Sequence, residues 1–254
     1  HARFAGRRIY VGEQKSVIMK IMNNLTKIAM AIAAAATMQS CLKDDGISYS
    51  ELIPNAVVTI KPVAQNGYPF YMQLDDSTVI YPSNLKQSPF GNKEVRAFIN
   101  YKKESEEKGA QVGFINWSRE LLTKNTVESL GSDEKNTAKY GNDPVALVNA
   151  FPTVCEDGYL TLRFRTLWGA YINIKHEVNL VTGVDPLDPY LVEFRHNRFA
   201  DAPEVQSDAY VAFRLNTLPD TQGKTVKLKV RYRNWNGETK VVEFDYKTRP
   251  GDGK

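Results

Sequence analysis

Alternating apolar and polar residues run through the C-terminal half of the chain and constrain its fold more than any other feature. In YLTLRFRTLW (159–168), Leu160, Leu162 and Phe164 share one face, opposite a face of threonine and arginine. Successive side chains of a strand point to opposite faces, so this period of two predicts a strand with one buried face. The same pattern recurs in three further runs: 170–180, 190–199 and 208–218. We therefore expect residues 145–254 to form an antiparallel β-sandwich of about seven strands.

The last predicted hairpin allows its register to be worked out. Alternation gives each arm three inward residues: Val226, Leu228 and Val230 on the first, Val242, Phe244 and Tyr246 on the second. A two-residue loop would set the charged Arg231 opposite the apolar Val242, which a buried face disfavours. A three-residue loop, 235–237, instead pairs 230 with 242, 228 with 244 and 226 with 246. Gly237 would then adopt the left-handed conformation that follows a type I turn.

Five shorter apolar runs precede the sandwich region. They are AVVTIKPV (56–63), FYMQL (70–74), TVIY (78–81), EVRAFINYKK (94–103) and AQVGFINW (110–117). Turn-forming residues separate them, and five short strands with a central hairpin favour a small closed barrel of the OB type over residues 56–118. The polar, turn-rich segment 119–144 is the expected connector. The chain is therefore predicted to be all-β, with two domains.

The region before residue 41 is typical of a bacterial secretory signal. Lys20 and Lys27 precede the apolar run IAMAIAAAATM (28–38). A basic start, a short apolar stretch and small residues before a cleavage site describe a signal peptide. Eleven apolar residues are also too few for a permanent transmembrane helix, which needs about 20. We expect residues 1–40 to be removed; a buried N-terminal helix is the alternative.

The first 18 residues begin without methionine, and we interpret them as translation upstream of a start at Met19 or Met22. The charge of the chain is concentrated in the same region. Six basic residues and one acidic residue give residues 1–40 a net charge of +5, against +4 for the whole chain. The remainder is thus close to neutral, without the basic surface that a nucleic-acid partner requires.

Cys41 directly follows the apolar run and has three possible roles. A disulfide would need Cys155, the only other cysteine, and a metal site would need further ligands at defined spacing that the neighbouring residues lack. MQSC (38–41) instead resembles a bacterial lipobox, although Met38 replaces the more usual leucine. That resemblance implies that Cys41 becomes the mature N-terminus and carries acyl chains. Several chains at about 0.8 kcal/mol per buried CH₂ would anchor the protein stably to a membrane.

Lys43, Asp44 and Asp45 follow the lipid site immediately. They resemble the Lys-acid-acid signal by which Bacteroidetes export lipoproteins to the outer face of the outer membrane. The alternative is that this charged run is only a polar tether, residues 41–55, that holds the folded part away from the lipid headgroups. With Cys41 acylated, Cys155 would have no partner, so the mature fold would depend on packing.

Candidate catalytic residues are few. His176 and His196 are the histidines of the mature chain, and both lie on the apolar side of a predicted strand. A histidine in that position is typically a hydrogen-bonded core residue; the two could meet in one core, where a metal site would need a third ligand. Glu193 with Arg195 and Arg198 is interpreted as an ion pair on a strand face.

No nucleophile-elbow, zinc-protease or phosphate-loop motif occurs in the sequence, so we assign no catalytic residue, metal ligand or cofactor. Carboxylates distant in sequence could still converge in a β-sandwich hydrolase. Trp235 and Tyr232 are candidate binding residues instead. At a hairpin tip they could form a stacking surface for a sugar or a partner protein, or Trp235 could fold back over the hairpin.

Several stretches together resemble the NigD-like family of Bacteroidetes lipoproteins. They are LDDST (74–78), LLTKNTVESL (121–130), GNDPV (141–145), HEVNLV (176–181), EFRHN (193–197) and YRNWNGETK (232–240). Ser77 departs from the glycine usual in the first of them, which indicates a different turn type. The resemblance implies an N-terminal OB-like domain and a C-terminal β-sandwich, but no established activity.

These features lead to three hypotheses about function. The first is a non-enzymatic, surface-exposed outer-membrane lipoprotein that binds a glycan or a protein. The second, from the bacteriocin-associated gene cluster that gave the family its name, is an immunity or accessory lipoprotein. The third is a hydrolase whose carboxylates are dispersed in sequence.

Overall fold

The computed structural model describes residues 49–170 and 174–252, and its elements are almost all β-strands, as the alternation predicts. One helical turn, α1 (Tyr49–Leu52), precedes the first strand. The next five elements are β1 (Ala56–Lys61), β2 (Tyr71–Gln73), β3 (Val79–Pro82), β4 (Val95–Glu107) and β5 (Ala110–Glu120). They form a closed barrel in the order β1-β2-β3-β5-β4, in which β4 pairs with β1 and β3 runs parallel to β5. The prediction of a five-stranded OB-like barrel is confirmed.

The barrel interior is filled by side chains that alternate along its strands. Val58 and Ile60 of β1, with Met72 and Ile80 from the neighbouring strands, are fully buried. The inward face predicted for β4 also packs in this cluster: Val95, Ala97, Ile99 and, partly buried, Tyr101. Because a strand turns alternate residues to one side, the outward residues of β4 remain free to contact other parts of the molecule.

The hairpin between β2 and β3 has a carboxylate in place of a turn glycine. Asp75 Oδ1 accepts hydrogen bonds from the backbone N–H groups of Ser77 at 2.8 Å and Thr78 at 2.7 Å. An aspartate side chain that bonds to the next residues closes a turn without a positive φ angle. Ser77 therefore fits where glycine was expected, and the adjacent Asp76 is left to contact the C-terminal half.

The described part of the C-terminal half contains ten strands and one helix. They are β6 (Thr123–Asn125), β7 (Val127–Glu128), α2 (Asp133–Tyr140), β8 (Ala146–Leu147), β9 (Val154–Glu156), β10 (Tyr159–Trp168), β11 (Glu177–Thr182), β12 (Leu191–Asn197), β13 (Val205–Arg214), β14 (Val226–Arg233) and β15 (Thr239–Tyr246). One sheet has the order β6-β13-β10-β8, with β9 also on β10, and the other β15-β14-β12-β11-β7. The predicted β-sandwich is confirmed, although its central pair β12 and β14 runs parallel rather than antiparallel.

The structure adds two details to that prediction. Segment 119–144, expected as a connector, supplies α2 and the short strands β6 and β7, which pair in parallel with β13 and β11. In the described part of the strand expected over 170–180, the strand begins at Glu177, so the prediction was wrong for 174–176; residues 171–173 lie outside the described residues. Ile174 to His176 lie outside the strand, and His176 contacts Asp201 in the loop between β12 and β13.

The core between the two sheets contains the inward residues that alternation identified. Leu160, Leu162 and Phe164 of β10 pack against Leu180 and Phe194 of the facing sheet. The hairpin register is also confirmed, with partners 226 and 246, 228 and 244, and 230 and 242. At its tip the carbonyl of Asn234 accepts a hydrogen bond from the N–H of Gly237, whose φ is 77°.

A smaller apolar cluster joins the barrel to the sandwich. Val57 of β1 and Phe98 of β4 point out of the barrel and pack with Tyr159 and Ala212 of the sandwich. The buried Arg96 of β4 reaches across the same junction. The described residues from 50 onward accordingly form one compact unit. Among the described residues, no helix combines the length and apolar character needed to cross a bilayer.

Candidate ligand-binding cleft

Three segments of the sandwich converge where β10 ends. Trp168, the last residue of β10, pairs across the sheet with Val205, the first residue of β13. His176 lies just before β11, and Asp201 lies in the loop that connects β12 to β13. Gly169 is required at this point, because a Cβ atom there would overlap the carboxylate of Asp201. The chain thereby brings an indole, an imidazole and a carboxylate together.

The two histidines meet, and Asp201 continues the chain of hydrogen bonds. His176 Nδ1 lies 3.0 Å from His196 Nε2, and His176 Nε2 lies 3.0 Å from Asp201 Oδ2. The carboxylate accepts, so His176 carries its proton on Nε2 and its Nδ1 accepts from His196 Nε2–H. His196 Nδ1 then has a lone pair, buried and without a partner. This tautomer leaves no N–H group unsatisfied, which is the lower-cost arrangement.

Burial sets the charge state of this chain. Burial, followed by the neighbouring His176, lowers the pKa of His196 to about 4. The backbone N–H of Gly169, followed by His176, lowers the pKa of Asp201. At neutral pH the site therefore contains a carboxylate and a neutral His196. Both nitrogens of His176 are occupied, so it acts as a support rather than as a free base.

Trp168 stacks on His176, with ring centroids 4.1 Å apart and an angle of 15° between the ring planes. Its Nε1–H donates to the carbonyl of Ser207 at 3.3 Å, which orients the indole. A cleft of about 630 Å³ opens beside this ring; we call it the Trp168 cleft. Its walls are Trp168, Ala170, Ile174, His176, Asp201, Val205 and neighbouring residues.

The Trp168 cleft is suited to hold an apolar group. Ile174 and Val205 on its rim are 41% and 52% exposed, which is unusual for large aliphatic side chains on adjacent segments. Its polar atoms are mostly engaged with one another: Asp201 accepts from Gly169, His176 and Ala202. Among the residues the structure describes, no group of three or more histidine, cysteine or acidic side chains is placed to hold a metal.

Comparisons with known proteins agree with this architecture. The model of the NigD-like N-terminal OB domain matches residues 57–121, and that of the NigD-like C-terminal beta sandwich domain matches residues 128–246. The chain belongs to the NigD-like family. No curated protein matches it significantly.

Three solved structures are similar to this NigD-like protein. A protein from Parabacteroides distasonis described as toxin-related is 31% identical, with coverage of 76% of this chain and 92% of that one and a TM-score of 0.60. A protein of unknown function from Bacteroides vulgatus is 21% identical (78% and 93% coverage, TM-score 0.59). A NigD-like immunity protein from Bacteroides caccae is 18% identical (75% and 95%, TM-score 0.53). The last two share the fold.

The residues predicted to bind lie elsewhere in this NigD-like protein. Trp235, at the tip of the β14–β15 hairpin, is 38% exposed. Tyr232 borders a separate cavity of about 220 Å³ that Arg195, Arg231 and Arg233 also line. Neither Trp235 nor Tyr232 is part of the Trp168 cleft. Cys41, Lys43, Asp44 and Asp45 lie outside the described residues.

The ion pair predicted around Glu193 is more deeply buried than expected for a strand face. Glu193 and Arg195 are 7% and 4% exposed, and Arg195 Nε donates to Glu193 at 2.8 Å. Arg231 Nε also donates to Glu193, at 2.7 Å, whereas Arg198 pairs with Asp143 at 3.2 Å. The assignment of Arg198 to the Glu193 pair was therefore wrong. It failed because residue 198 follows the end of β12, where alternation no longer applies.

The sequence pattern indicated the two histidines but not Trp168 and Asp201 as their partners. The pair did meet, as one of the two interpretations allowed. The available signal for Trp168 was an aromatic residue followed by Gly169 at the end of a strand, a combination that permits close backbone approach. Asp201 carries no comparable signal in the sequence, because it sits in an irregular loop.

Proposed function

We propose that this protein is a non-enzymatic, lipid-anchored lipoprotein of the outer membrane that binds a partner protein through the Trp168 cleft. The observation that supports this is the exposed aliphatic rim, Ile174 and Val205, beside an oriented indole. Burying such side chains contributes about 25 cal/mol per Å² of apolar surface removed from water. An apolar side chain of a partner that binds in the Trp168 cleft would gain this free energy of burial.

A protein partner is favoured over a glycan because the histidine and the carboxylate of the cleft are already paired with each other, which leaves the exposed Lys175 as the charged side chain of its lining that is free to contact a ligand. Sugars are held by side chains that exchange hydrogen bonds with their hydroxyl groups, and both His176 nitrogens and both Asp201 oxygens are engaged internally. The relative described as toxin-related, at 31% identity, also supports a protein partner. A bacteriocin is one such partner, in keeping with the immunity or accessory hypothesis.

The hydrolase hypothesis has less support. It requires a carboxyl group held protonated next to a second carboxylate. Burial raises the pKa of Glu156, but Arg96 binds this side chain, with Nη2 2.9 Å from Oε1. A charge-paired glutamate is poorly suited to donate a proton.

Replacing Val205 by glutamate should weaken binding of the partner at least about tenfold, because a charge on the rim would be desolvated against an apolar group. The matched control is Val241→Glu, which alters another strand valine of 50% exposure, on β15. A photo-reactive amino acid at position 174, in cells that express the protein, would first identify the partner by mass spectrometry. Binding constants of the purified pair would then be measured by calorimetry.

Loss of affinity in Val205→Glu with normal affinity in Val241→Glu supports the cleft. Equal affinity in both variants would contradict it. Binding of a purified glycan that only Val205→Glu abolishes would replace the protein partner by a sugar. Thermal unfolding of both variants checks that the fold is intact.

The anchor and its orientation are tested separately on intact cells. With Lys43, Asp44 and Asp45 all changed to alanine, we expect the protein to become protected from added protease, whereas the wild-type protein is digested. The reason is that the charged run is proposed to direct transfer to the outer face. Immunoblots of protease-treated cells measure this, with Cys41→Ser as the unanchored control. Protection of the wild-type protein would mean that the anchor faces the periplasm.

A further inference from the structure

A second pocket lies at the junction of the barrel and the sandwich. It has a volume of about 320 Å³, within the range of roughly 300–1,000 Å³ common for small-molecule sites. We call it the junction pocket. It is formed by β1, β2 and the β2–β3 hairpin of the barrel, the turn between β9 and β10, and the segment after β15: Lys61, Tyr71, Asp76, Asp157, Lys247 and Arg249.

Asp157 contains an unsatisfied acceptor in this pocket. The residue is only 5% exposed, and its Oδ1 accepts from Lys61 Nζ at 2.8 Å. Its Oδ2 is buried without a hydrogen-bond donor. The backbone is fixed as well, because the N–H of Asp157 donates to Asp76 Oδ1 at 2.7 Å. A buried carboxylate oxygen without a donor costs about 1–3 kcal/mol, which a bound group with an N–H or O–H would recover.

The surrounding charges determine which kind of donor fits. Lys61 already neutralises Asp157, and Arg249 Nη1 lies 3.9 Å from Oδ2, too far for a hydrogen bond but close enough to repel a second cation. Arg249 is itself occupied by Glu94 at 2.6 Å and by Asp252. A neutral hydroxyl is therefore a better partner for Oδ2 than an ammonium group.

Lys247 is the third cation that lines the junction pocket. It is exposed on the pocket rim and has no ion pair within the described part of the chain. Of the three cations that line the pocket, Lys61 is paired with Asp157 and Arg249 with Glu94 and Asp252, so Lys247 is the cation of this lining that is left without a carboxylate among the described residues. Tyr71 adds a partly buried aromatic wall, of the kind against which sugar rings pack. The pocket thus combines an unpaired cation, an acceptor for a hydroxyl and an aromatic face.

We propose that the junction pocket binds a uronic acid residue of an acidic glycan. Its carboxylate contacts Lys247, a ring hydroxyl donates to Asp157 Oδ2, and the ring packs on Tyr71. This site is independent of the proposed partner protein, because none of its residues belongs to the Trp168 cleft. The protein would then have two separate binding sites, one for each ligand.

Trigalacturonate is the probe. Its fully methyl-esterified form, which has no carboxylate charge, is the control ligand. Calorimetry on the detergent-solubilised full chain should give binding to trigalacturonate that weakens about tenfold for the ester, for Lys247→Met and for Asp157→Asn. Lys224→Met, at another exposed lysine, is the control and should bind as the wild type does. Val205→Glu should also bind normally, which separates this proposal from the protein-binding one.

Two results would overturn the proposal. The first is no binding of trigalacturonate at millimolar concentration, in which case water alone satisfies Asp157. The second is equal affinity for the acid and its ester, or for Lys247→Met and wild type. Thermal unfolding shows whether Asp157→Asn is still folded. Lys247→Met changes an exposed and unpaired side chain, so its folding should be normal and its affinity still tests the proposal.

Discussion

Replacing Arg96 by methionine should lower the free energy of unfolding by about 3–5 kcal/mol, the usual effect of removing one partner from a buried ion pair. Arg96 is 1% exposed and lies between the two domains. Its guanidinium donates to Thr59 of the barrel at 3.2 Å and to Thr161 of the sandwich at 3.3 Å, as well as to Glu156. Without it, three acceptors lose a donor and Glu156 retains a poorly solvated charge. Urea denaturation followed by fluorescence measures the change.

Two variants test whether the unpaired charge of Glu156 causes the loss of stability in Arg96→Met. Arg96→Met combined with Glu156→Gln should recover part of the lost stability, because the second change removes the stranded carboxylate. Lys102→Met, at an exposed position on the same strand, should change stability by less than about 0.5 kcal/mol. A loss below about 1 kcal/mol for Arg96→Met, or a double variant less stable than the single one, would refute this explanation.

Acidification from pH 7 to pH 4 should destabilise the protein by about 3 kcal/mol through His196 alone. The pKa of His196 is lowered from 6.5 to about 4, first by burial and then by His176. Asp143 raises this pKa by a smaller amount, and Arg198 lowers it slightly. Between these values the unfolded chain binds a proton that the folded chain excludes. The stability contribution is therefore complete above pH 6.5 and is lost as the pH falls towards 4.

Urea denaturation at pH intervals from 7 to 4 measures this slope. The variant His196→Gln has no titrating group at the position and should show a clearly smaller slope across that range. Asp208→Asn is the control for carboxylates: hydrogen bonds from Arg165, then Arg163, lower the pKa of Asp208 to about 2, below the tested range. Asp208→Asn should therefore keep the wild-type slope. Identical slopes in wild type and His196→Gln would contradict the assignment.

Local pattern determined much of the fold. The faces of β4 and β10 and the register of the β14–β15 hairpin follow from the period of two and from one turn glycine, Gly237. These features depend on residues close in sequence, so a single chain is sufficient to predict them. The same reasoning failed over 174–176, because alternation cannot show that His176 lies outside the strand and contacts Asp201.

The sequence by itself determined the strand faces, the two domain types and the family, since each depends on neighbouring residues or on an ordered set of them. Only the tertiary structure decided which polar groups meet. Asp201 with His176 and Arg96 with Glu156 are 25 and 60 residues apart. These contacts depend on how the strands pair and how the sheets pack. That arrangement is determined by the burial of the whole apolar surface, so it cannot be recognised from residues that are close in sequence.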